Sequence, residues 1–426
     1  MNKKVMALAV AGALASPAVA LAQVGVSGSI HLQYFNHDPG STMVSEKKTD
    51  ILETTEPNIV IRGEEKLGGG ISAWFACESS FDVLGSSIEG FCGRNSGVGM
   101  RGGFGNFFAG NWDTPHKIAV GPHRGWFGLN NVFARATILW NNAPSNVGNG
   151  FGSVVNGVTA SAASAAGFSR RQAQTWNYHS PNFGGASFQV AYSGGNEGTQ
   201  LDSASPLKPR LLSLGGAFAT GPLIVTVGYE QHKDYNPTGR AAVSTPARAS
   251  LAPGGTIVLS VASVTGDNYT GGSDDSIVVG VSYTIAGAVK LGAVYTKNSY
   301  EVGNSVGAPA TLEVDGYAFW LDWRLAGPHS VKAQYVMLND PEGTAGTTVG
   351  NYSVGLGTVA SPAGDRGGTV VTLVYSYAFS KRTSTYFAYN TAKNDANTAT
   401  ASTLGQTAST LGGTQKAFGI GMRHSF

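Results

Sequence analysis

Sixteen segments of this chain alternate with a period of two between apolar residues and small or polar residues. This period indicates β-strands that carry one apolar face. Each segment has about the length that a tilted strand needs to cross a bilayer. The predicted strands lie near residues 24–35, 57–66, 70–79, 92–101, 106–112, 172–180, 185–194, 211–220, 222–231, 275–285, 288–299, 312–325, 329–339, 367–379, 383–394 and 414–426.

The connections between these segments alternate between short and long. Seven tight turns separate eight long connections near residues 36–56, 80–91, 113–171, 195–210, 232–274, 300–311, 340–366 and 395–413. Short turns at one end and long loops at the other are typical of outer-membrane barrels, and a β-sandwich does not sort its loops in this way. We therefore predict an all-β fold, a 16-stranded antiparallel transmembrane β-barrel with short periplasmic turns and long outer loops.

The last segment ends at an aromatic residue, Phe426. Phe418, Ile420 and Met422 share one face of this strand, and small or polar residues occupy the other. Pairing of the last strand with the first would close the wall and leave no open sheet edge in lipid.

The N-terminus predicts export. Lys3 and Lys4 precede an apolar stretch from Val5 to Ala15, and residues 20–22 read as an A-x-A cleavage site. We expect residues 1–22 to be a cleaved signal peptide and residues 23–426 to be the mature barrel. A membrane anchor is the weaker alternative because the apolar run is short and ends at Ser16. No later run reaches the roughly 18 apolar residues of a helical span.

The composition agrees with a membrane barrel. Charged residues make up 13% of the chain, against about 25% in soluble domains. Removal of the two signal lysines leaves 28 − 2 = 26 Lys and Arg against 26 Asp and Glu. The mature chain is therefore formally neutral, and no global basic field indicates binding to nucleic acid.

Cys77 and Cys92 are the two cysteines of the chain, and they flank one predicted loop between adjacent antiparallel strands. We expect a disulfide in an oxidising compartment. A metal site built from two thiols alone is the weaker alternative. The histidines are dispersed, and no catalytic spacing is visible, so we predict no metal, no cofactor and no enzyme activity.

Several motifs resemble the general diffusion porins of β-proteobacteria and neisseriae. They are residues 58–75 (NIVIRGEEKLGGGISAWF), 94–105 (RNSGVGMRGGFG), 112–115 (WDTP), 178–188 (YHSPNFGGASF), 377–386 (YAFSKRTSTY) and 421–426 (GMRHSF). The resemblance implies a channel in the outer membrane of a Gram-negative cell through which ions and small hydrophilic solutes diffuse. It also implies a homotrimer in contact with outer-membrane lipid and lipopolysaccharide. Phe426 would be the signal that the barrel-assembly machinery recognises.

The resemblance further implies that the third outer loop, residues 113–171, folds into the lumen. There it would form a constriction lined by wall arginines and loop acids. Arg62 and Arg94 match basic positions of the family, whereas Asn58 and Asn111 stand where the family commonly has basic residues.

The third loop is rich in positive charge. No Asp or Glu occurs from Thr114 to Asn196, and this stretch contains five Lys or Arg residues: Lys117, Arg124, Arg135, Arg170 and Arg171. Strand parity also turns Asp322 and Arg324 toward the lumen, where local pairing between them is the alternative to a role in selectivity. The predicted pore-lining residues are Arg62, Arg94, Asp113, Lys117, Arg124, Arg135, Asp322 and Arg324. The excess of five positive charges in and just after the third loop predicts a mild preference for anions.

Two other functions stay open at this stage. The first is a channel specific for one anionic solute, for example an aromatic acid. The inward-facing Trp74 and Trp320 would favour it if they lined a ladder, although we expect them to pack under the third loop. The second is a surface adhesin or a structural outer-membrane protein whose function lies in its long loops.

Overall fold

The computed structural model describes most of the mature chain. The described residues are 23–40, 48–85, 90–128, 133, 136–140, 154–155, 158–159, 167–194, 210–233, 248–251, 257–260, 273–303, 309–349, 352–358, 364–397 and 411–426. The predicted signal peptide lies outside them, so its cleavage stays a prediction. Among the helices of these ranges, none is long and apolar enough to cross a membrane.

Sixteen antiparallel strands form the wall, as the sequence predicted. They are β1 (Gln23–Asp38), β2 (Asn58–Gly68), β3 (Ile71–Ser80), β4 (Ser96–Gly102), β5 (Gly105–Asp113), β6 (Arg171–His179), β7 (Ala186–Ser193), β8 (Arg210–Thr220), β9 (Leu223–Lys233), β10 (Ser273–Ile285), β11 (Val289–Gly303), β12 (Pro309–Arg324), β13 (His329–Leu338), β14 (Gly368–Ala378), β15 (Thr383–Asn394) and β16 (Thr414–Ser425). Each strand pairs with its neighbours along the chain.

The sheet is closed. Leu32 of β1 lies opposite Met422 of β16, and Val26 of β1 lies opposite Ile61 of β2. The backbone N–H of Phe426 donates to the carbonyl oxygen of Gly28 at 3.0 Å, and the N–H of Gly28 donates to the Phe426 carbonyl at 3.1 Å. The C-terminal residue therefore takes part in closing the wall.

The period of two in the sequence corresponds to two different environments. On β10, Val279 and Val281 are each 43% exposed on the outer face. Val278, the residue before Val279, is 1% exposed on the inner face. The same alternation places Phe319 outside and Ala318 inside on β12. Apolar side chains cover the outside of the barrel because that face meets hydrocarbon rather than water.

Tight turns connect the strands at one end of the barrel. The turn between β8 and β9 needs only Gly221 and Pro222, with Gly221 at φ +53°. Glycine occupies this left-handed conformation without the steric cost of a Cβ atom. The long connections lie at the other end, as predicted.

The structure differs from the expectation in the first long connection. β1 continues to Asp38, and a further short strand, Thr49–Thr54, pairs with residues 32–37 of β1. The strand is separate from β2 because Glu56 adopts a φ of +43° just before Pro57. The extra strand supplies partners for β1 backbone groups that would otherwise form an open edge. β4 begins at Ser96 rather than at residue 92, since Cys92 lies in a turn at φ +58°.

The third loop enters the barrel. After β5, helix α1 (Pro115–Arg124) and two short 3-10 helices, Gly125–Gly128 and Ala136–Trp140, lie against lumen-facing residues of the wall. Buried apolar residues of the loop and of the inner wall form one cluster, so the principal apolar core lies inside the lumen. Thr114 N–H donates to the Arg170 carbonyl at 2.9 Å and joins the two ends of the loop.

Candidate functional site

Helix α1 contacts the inner face of strands β8 to β11, where wall glycines leave room for it. A Cβ atom added at Gly228 would lie 2.9 Å from the His116 Cα, and one added at Gly292 would lie 2.4 Å from the His123 carbonyl oxygen. Any larger residue at these positions would displace the helix. We call the four glycines that contact α1 the glycine groove: Gly215, Gly228, Gly280 and Gly292.

His116 attaches the first turn of α1 to the wall. Its Nε2 lies 2.9 Å from the Ser276 hydroxyl, which donates its own hydrogen to Asn298 Oδ1 at 2.7 Å. The His116 Nε2–H is therefore the donor. Its Nδ1 is buried and makes no hydrogen bond within the described part of the chain. Burial holds the pKa of His116 below its ordinary value, so the ring is neutral near pH 7.

His123 attaches the last turn of α1 in the same way. Its Nε2 lies 2.7 Å from the Thr226 hydroxyl, which donates to the Ala119 carbonyl at 2.7 Å. His123 is thus also a neutral Nε2–H donor, since burial and the nearby Lys290 lower its pKa. The Lys290 ammonium donates to the carbonyl oxygen of Pro122. A cation near the helix C-terminus also complements the helix dipole.

Beyond the first 3-10 helix, the loop reaches a different sector of the wall. The ring of Phe133 is 0% exposed and lies 5.9 Å from the Phe35 ring of β1 and 6.4 Å from the Tyr386 ring of β15. Because α1 lies on β8 to β11, the loop extends across the lumen between two separated sectors. It therefore narrows the lumen.

The second 3-10 helix packs on β11 to β13. Leu139 lies over Gly316, where an added Cβ would be 2.5 Å from the leucine side chain, and Asn298 Nδ2 donates to the Leu139 carbonyl at 2.7 Å. Tyr352, from the connection between β13 and β14, donates its hydroxyl to the Ile138 carbonyl at 2.6 Å. Trp320 is buried in the same apolar cluster, as expected, whereas Trp74 does not join it but is half-buried and lines an open cavity of the lumen. Loop and wall are thus joined by packing and by satisfied polar groups.

Asp113 lies where the loop leaves β5 and is surrounded by positive charge. Its carboxylate contacts Lys117 Nζ at 2.7 Å and Arg171 Nε at 3.4 Å. Asn95 Nδ2 donates to the same carboxylate at 3.1 Å. The predicted pore residues Asp113 and Lys117 therefore neutralise each other at the base of the loop, with Arg171 beside them. Burial of the Lys117 ammonium lowers its pKa in spite of this carboxylate.

Arg62 and Arg94, the two arginines at positions where the general diffusion porins have basic residues, differ in their contacts. Arg62 is exposed on the lumen face of β2 and makes no ion pair within the described ranges. Arg94 is held by Glu78, with Nε 2.9 Å from the carboxylate oxygen, and Asn58 donates to the same oxygen at 2.9 Å. Asn58 thus contributes to this polar group although it carries no charge.

Asp322 forms its ion pair with a residue of the neighbouring strand rather than with Arg324. Asp322 of β12 lies directly opposite Lys332 of β13, and the carboxylate contacts the ammonium at 2.7 Å. Arg324 lies two residues farther along the same strand, about 7 Å away, and is exposed. The suggested Asp322–Arg324 pair is therefore wrong, because side chains opposite each other on adjacent strands are closer than those two apart on one strand.

The remaining loop cations have different outcomes. Arg124 ends helix α1, where burial of its guanidinium lowers the pKa, and the nearby charges of Glu56 and Asp113 oppose this shift only in part. Arg170 and Arg171 are buried at the end of the loop. Arg135 lies outside the described residues, so its predicted place in the constriction stays a prediction.

Sequence reasoning missed the polar group beneath the loop. Glu230 and His232 of β9 are both 0% exposed, and His232 Nε2 lies 3.0 Å from the Glu230 carboxylate. The Phe168 ring stacks on His232 with centroids 4.6 Å apart. Strand parity turns Glu230 toward the inside of the barrel, but no pattern in the sequence indicates that a loop covers it. Within the described ranges, His, Cys, Asp and Glu side chains form no cluster that could hold a metal ion.

Cys77 and Cys92 are bonded to each other, with Cα atoms 4.7 Å apart. The bond connects β3 to the turn that precedes β4. Phe426 is 42% exposed on the outer face, where its ring lies against Gly28. Its role as an assembly signal stays a prediction.

The fold and the loop together define a class of protein. A closed barrel of sixteen strands with a third loop inside its lumen is the architecture of a porin, and the family profile described as Gram-negative porin matches residues 7–397. The chain belongs to the Gram-negative porin family, a family of the outer membrane. This confirms the resemblance, the fold class and the predicted localisation.

Individual relatives are more distant. The chain is 31% identical over 122 residues to the major outer membrane protein P.IB of Neisseria gonorrhoeae, and the alignment covers 28% of this chain and 34% of that protein. It thus spans about a third of that relative's length. An anion-selective porin from Comamonas acidovorans has a similar structure, with a TM-score of 0.64 and 19% identity over 95% of this chain and 100% of that one. The outer-membrane protein OmpT of Vibrio cholerae, with a TM-score of 0.58 and 15% identity, matches over 95% and 98%.

Proposed function

We propose that this protein forms a water-filled channel for passive diffusion of ions and small hydrophilic solutes, with a mild preference for anions. The observation that carries the preference is an imbalance between the charges on the inner wall. Inward-facing carboxylates Glu64, Glu78, Asp113 and Asp322 each contact a cation. Five inward-facing cations have no ion pair among the described residues: Arg62, Lys66, Lys290, Arg324 and Arg423.

Unpaired fixed charges determine the electrostatic bias of a narrow aqueous path. They raise the local concentration of counterions and form a barrier for ions of the same sign. Three further carboxylates face inward: Glu53 accepts a hydrogen bond from Gln33, and Glu230 and Asp274 are at most 2% exposed. Most wall charges are neutralised in pairs, which supports a mild rather than a strong preference. The structurally similar porin from Comamonas acidovorans is described as anion-selective, which agrees with this proposal.

The channel proposal is tested by conductance in planar bilayers. We expect stable single-channel steps whose conductance rises in proportion to KCl concentration without saturation. A protein that inserts but gives no steps would contradict the proposal.

The anion preference is tested by removing the unpaired wall cations. The triple variant Arg62→Gln, Arg324→Gln and Arg423→Gln is expected to lower the chloride-to-potassium permeability ratio, measured from the reversal potential. Lys297→Gln is the matched control for each of the three single variants, because it also removes one positive charge, but on the outer face of β11, where Lys297 pairs with Glu313. A Lys297→Gln effect as large as that of the single lumen variants would contradict an origin of the preference in the lumen.

We propose a homotrimer as the assembled state. One solved structure of Vibrio cholerae OmpT is described as a trimer form and shares the fold at a TM-score of 0.57. Chemical cross-linking of the refolded protein in detergent should give a trimer as the largest abundant species. Contacts with lipopolysaccharide and with the barrel-assembly machinery stay predictions.

The family and fold are those of a channel rather than of an enzyme. The adhesin alternative depends on the outer loops. Much of their length lies outside the described residues, and no contact described above favours that alternative.

A further inference from the structure

The lumen contains a cavity on the sector of wall that helix α1 leaves uncovered. Its volume is about 870 Å³, and it lies along the inner faces of β2 to β5. We call it the Trp74 cavity. The side chains that matter for its chemistry are Arg62, Glu64, Lys66, Trp74, Arg101 and Trp112. Its size falls within the range of about 300–1,000 Å³ found for small-molecule sites.

An aromatic surface forms one side of the Trp74 cavity. The Trp74 ring lies 5.2 Å from Phe108 and 5.8 Å from Trp112, and Phe108 lies 4.9 Å from Trp112. Phe108 is buried behind the two indoles, which are only half-buried and line the cavity. Trp74 donates its Nε1–H to Asn106 at 2.7 Å. Its indole therefore has no free polar group to offer, and what it presents is an apolar π-surface.

Two cations lie on either side of Trp74. On the adjacent strand, Glu64 is directly opposite Trp74, while Arg62 and Lys66 are its two diagonal neighbours on the same face. Diagonal neighbours in an antiparallel pair lie about 7–8 Å apart. A benzoate-sized molecule with its ring on Trp74 can reach either cation with its carboxylate.

Among the described residues, the acids of the cavity form their ion pairs with other cations than these two. Arg101 holds the Glu64 carboxylate through Nε at 2.9 Å and through a second, shorter contact. Arg94 holds Glu78. Arg62 and Lys66 have no ion pair in the described parts of the chain, and the strand neighbours of Arg62 are the small residues Gly25 and Ala76. The Arg62 guanidinium is therefore sterically accessible and lacks a carboxylate.

We infer that the Trp74 cavity is a binding subsite for aromatic carboxylates on the diffusion path. The aromatic ring stacks on Trp74 and Trp112, and the carboxylate contacts Arg62 or Lys66. Stacking selects planar rings, and the charge-assisted hydrogen bonds select anions. This subsite rests on the proposed channel function and adds a preferred class of solute to it.

The experiment measures block of KCl current through the refolded full-length protein by added benzoate. We expect a saturable fall in conductance at lower concentration than with acetate, cyclohexanecarboxylate or benzamide, which lack the ring, the π-face and the charge respectively. Trp74→Leu and Arg62→Gln should each weaken the apparent benzoate affinity by roughly tenfold. Trp74→Phe, which keeps a ring, should lose less affinity than Trp74→Leu. Trp176→Leu is the matched control, because Trp176 is exposed on the outer face.

The results separate the subsite from the channel. Linear KCl conductance together with equal effects of benzoate and cyclohexanecarboxylate would overturn the subsite and leave the channel intact. Unchanged benzoate affinity in both Trp74→Leu and Arg62→Gln would also overturn it. Absence of KCl conductance in the wild-type protein would instead contradict the channel itself.

Discussion

The glycine groove predicts a measurable effect of adding one methyl group inside the barrel. In Gly292→Ala, the new Cβ would lie 2.4 Å from the carbonyl oxygen of His123, whereas ordinary contact begins at 3.4 Å. The difference, 3.4 − 2.4 = 1.0 Å, has to be taken up by movement, and the contacted atom belongs to the helix backbone. Helix α1 must therefore move away from the wall and into the lumen.

The energetic cost can be bounded from this geometry. Overpacking of a close-packed site by one methyl group costs about 1–3 kcal/mol. A cost of this size lowers the ratio of docked to undocked helix by roughly 5- to 150-fold. The movement also separates His123 from Thr226, whose hydrogen bond is 2.7 Å long.

Single-channel recording detects both consequences. We expect Gly292→Ala to lower the mean conductance, because the displaced helix occupies the aqueous path, and to raise the open-channel current noise. Gly216→Ala is the matched control: Gly216 faces outward on β8, and its added Cβ meets only Val227, at 3.2 Å. Equal conductance and noise in the two variants would refute the proposed docking of α1 in the glycine groove.

Three further predictions concern the attachments of the loops. Replacement of Cys77 and Cys92 by Ser, which opens a link across a sequence separation of 15, should lower the free energy of unfolding by about 3 kcal/mol; an unchanged guanidinium midpoint in detergent would contradict this. Burial in the docked helix lowers the pKa values of His116 and His123, so the rings of the undocked helix take up protons at a higher pH. Docking is therefore complete above about pH 6.5 and weakens as the pH falls from there toward the lowered pKa values. Current noise should therefore rise between about pH 6.5 and about pH 4, and less so in His123→Gln; a flat profile would disprove the link. Tyr352→Phe removes the hydroxyl that donates to Ile138, which should cost about 1 kcal/mol and raise the noise slightly, whereas a quieter channel would count against this anchor.

The wall of the barrel was largely predictable from the sequence. Each strand alternates its environments every two residues, so local pattern alone located all sixteen strands, with ends shifted by at most four residues at β4 and β11. Closure of the barrel was predictable because the last strand shows the same alternation and can pair with the first. The extra strand Thr49–Thr54 was missed because it depends on an unpaired partner, β1, rather than on its own pattern.

The arrangement inside the lumen was less predictable. No sequence pattern indicated that Gly228 and Gly292 would contact the same helix, because they lie on different strands and far apart in the chain. The pairing of Asp322 with Lys332 depends on the register between two strands, which parity leaves undetermined. Positive charge in the third loop was visible in the sequence, but Asp113 neutralises part of it through contacts that only the fold brings together.

The imbalance of charge on the inner wall is the central claim about function, and the reversal potential of the wild-type channel tests it most directly. The refolded protein would be inserted into a neutral planar bilayer with KCl at different concentrations on its two sides. The unpaired cations Arg62, Arg324 and Arg423 predict a reversal potential with the sign of chloride permeating faster than potassium. A potential of the opposite sign, with potassium permeating faster, would contradict the account.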